Sequence, residues 1–412
     1  MEEIYVVGVG MTRFGRLLDK DIKTLTGAAV QAALDDAGLR KEDLQGAFFG
    51  NASQGHMEGQ QMIRGQIALR EAGIGRIPVV NVENACASGS SALALAVMQV
   101  RAGAADVALA VGAEKMFSTD KAQMFSVFDS AWDVSRADEI RDRLLQMGHG
   151  VEVPERTTSL KPYSVFMDVY AAFARSHMRR WGTTQRQLAA VAAKNHAHSV
   201  HNPLSQYRTA YTVDEVLAAA PITYPLTLPM CSPVSDGAAA AIVCNGAALA
   251  RLKIDRRRAI RVLASVVQSG SDRSDDDYAL HCTALASKRA YEIAGVGPDD
   301  VSVAEVHDAT AMGEIIQTEN LGFCAFGEGG VIAERGDTRI GGRIPVNPSG
   351  GLESKGHPVG ATGLGQIQEL VAQLRGEAGA RQVEGARIAL AENGGGLQGI
   401  EEAAAVVTIL SR

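Results

Sequence analysis

Large rings are scarce in this chain: ten Phe, eight Tyr and two Trp amount to 5% of its 412 residues. A core built around aromatic stacking is excluded, and packing must rest on small and branched aliphatic side chains. Cysteine is scarcer still. Cys86, Cys231, Cys244, Cys282 and Cys324 are odd in number, far apart and never in a CxxC pair, which argues against a disulfide framework and a cysteine-type zinc site. No stretch approaches the roughly 20 apolar residues that cross a bilayer. The first residues, Met-Glu-Glu-Ile-Tyr, are not a basic segment followed by an apolar one, and the closing Ile-Leu-Ser-Arg is not a peroxisomal address. The expected compartment is a reducing cytoplasm. Positive charge is also short: the net charge is −7, so neither nucleic acid nor an anionic membrane is an expected partner.

Glycine is plentiful instead, 44 of 412 residues against a usual ~7%. No Gly-X-Y period runs through the chain, so these glycines mark turns and close backbone approaches. Short β-branched runs alternate with alanine-rich amphipathic stretches, strand at 4–9, helix at 24–37, strand at 46–50, strand at 79–82, helix at 88–102 and strand at 107–111. This alternation predicts an α/β layered fold.

The chain also resembles itself. Ala37-Gly38-Leu39, Asp43-Leu44 and Gly50-Asn51 match Ala294-Gly295-Val296, Asp300-Val301 and His307-Asp308 at a constant offset of 257. A second match aligns the strand, turn and helix start around Cys86 with those around His357 and pairs the strand 107–111 with 388–392. Two similar halves are predicted, 1–250 and 251–412, and a pseudo-twofold packing would bring the Cys86 and His357 elbows face to face. The interval of about 116–227 has no counterpart in the second half and reads as an inserted loop domain that covers the site and selects the ligand.

Cys86 follows a strand and precedes a helix, in Glu83-Asn84-Ala85-Cys86-Ala87-Ser88-Gly89-Ser90. The helix N-terminus is expected to favour its thiolate. His357, in Lys355-Gly356-His357-Pro358-Val359-Gly360-Ala361-Thr362-Gly363, is the candidate base for it. Other candidates carry less. His196, His198 and His201 suggest a metal only weakly and read better as a solvated helix end, so no metal site is predicted. His56 and His149 read equally as pocket or surface loop residues. Gly8, Gly10 and Gly15 do not have the dinucleotide spacing. Arg136, Arg141, Arg143, Arg156, Lys161 and Arg175 offer a grip for phosphates or a carboxylate, or a solvated charged face.

The Cys86 segment, Val306-His307-Asp308-Ala309, Cys231-Ser232-Pro233-Val234-Ser235-Asp236-Gly237, the Gly356–Gly363 block and Asn393-Gly394-Gly395-Gly396 together resemble the thiolase superfamily, in its sterol-carrier-protein-2-type and archaeal-type branch. The resemblance spans essentially the whole chain. It implies a five-layered αβαβα fold and a homodimer or dimer of dimers. It also implies thiolytic cleavage or Claisen condensation of β-ketoacyl-CoA, with acyl-CoA and coenzyme A as substrates and no other cofactor. Cys86 would carry the acyl group and His357 would activate it. His307 would bind the second thioester, and the backbone N–H groups of Cys86 and Gly394 would form an oxyanion hole. Some relatives act with a small zinc-binding OB-fold partner, and the benzoylsuccinyl-CoA thiolase type, with an aromatic dicarboxylic substrate, is one of these.

One departure stands out. Where most thiolases carry a second catalytic cysteine, this chain has Glu392 or Ala309. Glu392 is the expected replacement, with a carboxyl pKa raised by its apolar surroundings, or else a structural group. The missing cysteine also motivates a different reading, a non-catalytic thiolase-like scaffold subunit.

Overall fold

In the computed structural model, which describes residues 2–412, the branched runs become eleven strands. They are β1 (Ile4–Met11), β2 (Ala47–Gly50), β3 (Val79–Val82), β4 (Val107–Glu114), β5 (Pro221–Thr223), β6 (Leu226–Thr227), β7 (Gly237–Asn245), β8 (Ile260–Ser269), β9 (Val303–Glu305), β10 (Ile388–Gly395) and β11 (Ala404–Ser411). β5 and β6 pair only with each other, and the other nine form one sheet in the order β3-β2-β4-β7-β1-β8-β11-β10-β9.

That order is a palindrome of two halves. Outward from β1 run β7, β4, β2 and β3, with the first two pairings antiparallel and the next two parallel. Outward from β8 run β11, β10 and β9, antiparallel, antiparallel and parallel, and a parallel bridge from Ala304 to Val346 stands where β3 stands in the first half. The seam itself is short, Ile4 to Val6 against Val262 to Ile260.

Helices complete the layers because each half leaves both faces of its sheet apolar. Helix Ile22–Ala37 is capped by the Asp21 carboxylate on the Thr24 N–H and closed by Gly38 at φ 65°. It lies directly on β1, where a Cβ at Gly8 or Gly10 would stand 2.2 or 2.3 Å from the helix carbonyl oxygens of Ala33 or Ala29. The glycines of β1 are thus a helix seat. In the second half helix Cys282–Ala294 closes on Gly295 at φ 69°, 257 residues after Gly38, and packs Ala286 and Ala290 on Val266, Leu390 and Val407. Between the halves helices Ser88–Arg101 and Thr362–Arg375 share one core, in which Leu93, Val97, Leu364 and Ile367 meet Val6, Val243, Val262 and Ala389. The resulting order is helix, sheet, helix, sheet, helix.

Between β4 and β7 the chain adds five helices, Lys121–Ser126, Ala137–Gln146, Val165–Trp181, Gln185–Ser199 and Val213–Ala218, which hold their own core through Ala171, Leu188, Val191 and Met230 together with Met312 and Ile315 of the second half.

Beside the core shared by the two central helices, the halves also interlock by backbone. The carbonyl oxygen of Gly360, in the turn ahead of one central helix, lies 2.0 Å from where a Cβ would stand at Gly112 and 2.7 Å from that position at Gly89. The Glu114 carboxylate accepts the Gly360 N–H at 2.9 Å. No alanine fits there without moving backbone. Gly112→Ala is expected to lose about 2 kcal/mol or more of stability, whereas Gly75→Ala, with open space at its Cβ position, should stay within about 0.5 kcal/mol. Denaturant unfolding of the two variants checks the contrast.

Candidate active site

The Cys86 elbow is tightly bound backbone. Ala85 sits at φ 46°, a left-handed conformation that a non-glycine residue adopts only when its surroundings enforce it. The Glu83 carboxylate accepts the Ala85 N–H at 2.6 Å, and the Ser88 hydroxyl accepts the Asn84 N–H and donates to the Ala85 carbonyl. The end of β10 runs against this turn. A Cβ at Gly395 would stand 2.1 Å from the Asn84 oxygen, so only glycine lets the strand reach the elbow.

Into this junction point one thiol and two imidazoles. The Cys86 Sγ and one ring nitrogen each of His307 and His357 all lie within 4.8 Å of one another, and the two rings stand edge to face with centroids 5.1 Å apart. The elbows of the two halves do face each other. A sulfur and two imidazoles could also ligate zinc, but an ion there would occupy the thiol and both imidazoles together.

The two histidines present opposite faces. The Thr362 hydroxyl donates to the Pro358 carbonyl at 3.1 Å, so it accepts at 2.7 Å from His357 Nδ1. Its proton lies on Nδ1, and Nε2 keeps a lone pair. For His307 the relation is reversed: Asn393 donates its amide N–H to His307 Nδ1 at 2.9 Å, while the Asn393 oxygen accepts from Ser90. His307 therefore carries its proton on Nε2. One ring is a base and the other a hydrogen-bond donor. Burial lowers both pKa values, that of His307 to about 4 and that of His357 well below its ordinary value with a contribution from His307, so both rings are neutral near pH 7.

The thiol departs from expectation. Cys86 touches open space only through the cavity, and burial, with the charge of Glu114 second, raises its pKa to about 12. Backbone hydrogen bonding acts in the opposite direction and loses. The helix N-terminus does not make a resting thiolate, because removal from water outweighs it.

The cavity holds about 790 Å³ and is lined by Cys86, His307, His357 and Gly394. Its far wall is aromatic: Phe117, Phe125, Phe128, Tyr163, Phe166 and Tyr170 from the β4–β7 insertion, with Tyr207 and Tyr211. The arginines expected to grip the ligand are elsewhere. Arg136 and Arg141 pair with Glu139 and Asp138, and Arg175 holds the carbonyls of Gly148 and Tyr224. The cationic side chains on the cavity are Arg16 and Lys121.

Glu392 is fully buried and has no surface on the cavity. One carboxyl oxygen accepts the His307 N–H at 2.9 Å and the other has no partner. Burial, with Glu402 nearby, raises its pKa well above the usual range. His196 and His198 do not form a solvated helix end. Both are buried, bonded to the Pro229 and Asn347 carbonyls, with pKa values lowered by burial to about 4 and about 3. His196 borders the cavity, while His56 and His149 do not. Cys231 lines it. Sequence reasoning passed over Thr362, Asn393, Glu114, Tyr170 and Glu402. The first two were within reach, as polar residues inside the glycine-rich motifs, and the rest carry no local pattern.

A model of the thiolase N-terminal domain matches residues 4–215, and one described as thiolase C-terminal domain-like matches 264–412. The chain belongs to the thiolase family. It is an acyltransferase of that family, similar over its full length, at 41% identity, to an acetyl-CoA acetyltransferase of Methanothermobacter thermautotrophicus, itself covered in full. Sterol carrier protein 2 of Bos taurus is 37% identical over 95% of the chain and 69% of that protein. The benzoylsuccinyl-CoA thiolase subunit BbsB of Thauera aromatica is 34% identical over 93% and 91%. Among solved structures, the chain titled Ltp2-ChsH2(DUF35) aldolase superposes with a TM-score of 0.77 over 99% of this thiolase and 97% of that chain, at 23% identity. It shares the fold.

In the unliganded protein the raised thiol pKa sets reactivity. Alkylation of Cys86 by iodoacetamide should rise about tenfold per pH unit from pH 7 to 10, as the thiolate fraction does below its pKa. A plateau at neutral pH, read by mass spectrometry of the Cys86 peptide, would mean a thiolate–imidazolium pair instead.

Proposed function

We propose that this thiolase works through an acyl-Cys86 intermediate on bulky, aromatic acyl-CoA thioesters. The observation that carries the reading is the meeting of one thiol, one basic imidazole and one donor imidazole within 4.8 Å at the floor of an aromatic-walled cavity. His357 Nε2 takes the Cys86 proton as sulfur attacks the thioester carbonyl, and passes it to the departing coenzyme A sulfur. Attack and proton transfer proceed together, so a thiol with a high resting pKa suffices. The N–H groups of Cys86 and Gly394 receive the oxyanion, each worth about 3–4 kcal/mol where a comparable donor has been removed. His307 Nε2–H then binds the thioester oxygen of the second substrate. In the cleavage direction the same steps run in reverse.

The aromatic wall and the similarity to the BbsB subunit favour an aromatic acyl group, with benzoylsuccinyl-CoA as the specific case. Arg16 and Lys121 are the groups positioned for a phosphate or an additional carboxylate. Coenzyme A enters as substrate and the chemistry requires no other cofactor. A homodimer or dimer of dimers, a small zinc-binding OB-fold partner and a cytoplasmic setting belong to the same proposal. The partner is proposed by analogy with the Ltp2-ChsH2(DUF35) aldolase, whose fold this chain shares. Among the described residues no helix is long and apolar enough to cross a membrane.

Incubation with benzoyl-CoA or acetyl-CoA should add the acyl mass to Cys86, with benzoyl transferred at least as fast as acetyl, and Cys86→Ser should remove the adduct. A protein that takes up no acyl group from any thioester is the scaffold subunit of the alternative reading.

A further inference from the structure

We infer that Glu402 is the acid and base that moves the α-proton of the second substrate. The assignment rests on the acyl-Cys86 reading and adds the group that reading lacks. Carbon–carbon bond formation needs a base for the α-carbon, and His357 is engaged with sulfur. Three carboxylates border the cavity: Glu83, Glu353 and Glu402. Glu83 is exposed and tied to the Ala85 N–H of the elbow. Glu353 is bonded to Asn195 at 2.9 Å and its charge acts on Cys231. The charges of Glu114, Glu83 and Glu402 all act on Cys86, and of the three cavity carboxylates it is Glu402 that lies against Gly394 at the β10 strand end.

Its position depends on a missing side chain. The Cγ of Glu402 lies 2.6 Å, and its Oε1 3.2 Å, from where a Cβ would stand at Gly394. The carboxyl group therefore rests against the residue whose N–H forms the oxyanion hole, beside the site of the reacting carbonyl. Two donors aim it. Gln317 Nε2 donates to Oε1 at 2.8 Å, and His281 Nε2 stands 3.3 Å from Oε2. His281 Nδ1 accepts the Thr283 N–H at 3.2 Å, so the imidazole proton is on Nε2 and faces Glu402. Burial raises the Glu402 pKa, towards the basicity that removing a carbon-bound proton needs. Behind it a second space of about 60 Å³ shares Tyr170, Leu397 and Glu402 with the main cavity. It is large enough for water through which the carboxyl can exchange its proton.

The step balances. The carboxylate of Glu402 takes the α-proton, and the C–H electron pair becomes an enolate whose oxygen is held by His307 Nε2–H. The enolate carbon attacks the acyl-Cys86 carbonyl, the new C–C bond forms and the C–S bond breaks, and the departing Cys86 sulfur receives, through His357 Nε2, the proton that Glu402 took from the α-carbon, which returns both groups to their starting states. In thiolysis Glu402, protonated, returns its proton to the departing α-carbon.

The test compares Glu402→Gln, Glu392→Gln and the unmodified protein in D₂O. It reads deuterium uptake at the α-carbon of acetyl-CoA and, separately, acylation of Cys86. Expected is α-exchange at least 100-fold slower in Glu402→Gln with acylation within threefold, and exchange within tenfold of the unmodified protein in Glu392→Gln. Glu402→Asp, which keeps the carboxylate one methylene back, should recover part of the exchange. Exchange within tenfold in an acylating Glu402→Gln overturns the assignment, as does loss of exchange in Glu392→Gln alone. Failure of the unmodified protein to acylate Cys86 overturns the underlying reading and leaves a different signature, since no variant then carries an adduct.

Discussion

The arrangement of this thiolase depends on one contact, the seating of the Gly360 turn of the second half against Gly89 and Gly112 of the first, clamped by the Glu114 carboxylate. That carboxylate accepts from the N–H groups of Gly360, Ala52 and Ser53, from the Asn51 amide and from the Ser53 hydroxyl. An isolated buried carboxylate is strongly unfavourable, and one with its oxygens fully bonded is not. Because the clamp joins the turn after His357 to the strand end beside the Cys86 elbow, it fixes the distance between Cys86 and His357. It also acts on the chemistry at rest, as the largest charge that raises the Cys86 pKa.

The thiol and the two imidazoles are consequently neutral and ordered before any ligand arrives. Thr362 and Asn393 set the two imidazole tautomers by hydrogen bonds to groups that are themselves bonded, so His357 offers a lone pair and His307 a proton without rearrangement. Glu392 acts one step back from the cavity, through the backbone of His307. Much of the polar chemistry is thus supplied by backbone geometry and by neutral side chains, in keeping with a chain whose charges lie mostly on its surface. This is electrostatic preorganisation with little net charge.

A good share of this was legible in the sequence. The repeat at offset 257 corresponds to real equivalents, the closing glycines Gly38 and Gly295 of the two outer helices, and the blocks around Cys86 and His357, with the Val306–Ala309 segment, single out three side chains that the fold brings within 4.8 Å of one another. What was not legible depends on three-dimensional environment. The helix start after Cys86 suggested a thiolate, but burial decides the thiol pKa and no local pattern reports burial. Glu392 was singled out by its place beside a motif, yet a strand alternates its faces, and its side chain lies away from the cavity. Glu402 lies ten residues on, outside every motif singled out in the sequence, and borders the cavity because Gly394 leaves room for it. His196 and His198 looked like a helix end because the segments that cover them, around Ile340, Asn347 and Ser354, come from the second half of the chain.

The distribution of aromatic rings has a further consequence. Of twenty aromatic residues in the chain, eight border the cavity, while the two large core clusters are made mostly of Ala, Val, Leu and Ile, with Tyr5, Phe14, Phe48 and Phe49 as their aromatic members. The residues that shape the ligand and the residues that support the fold are therefore largely different sets. The wall of the cavity can be resized for another acyl group with little effect on the core, which gives this fold a route to new substrates that leaves its stability in place.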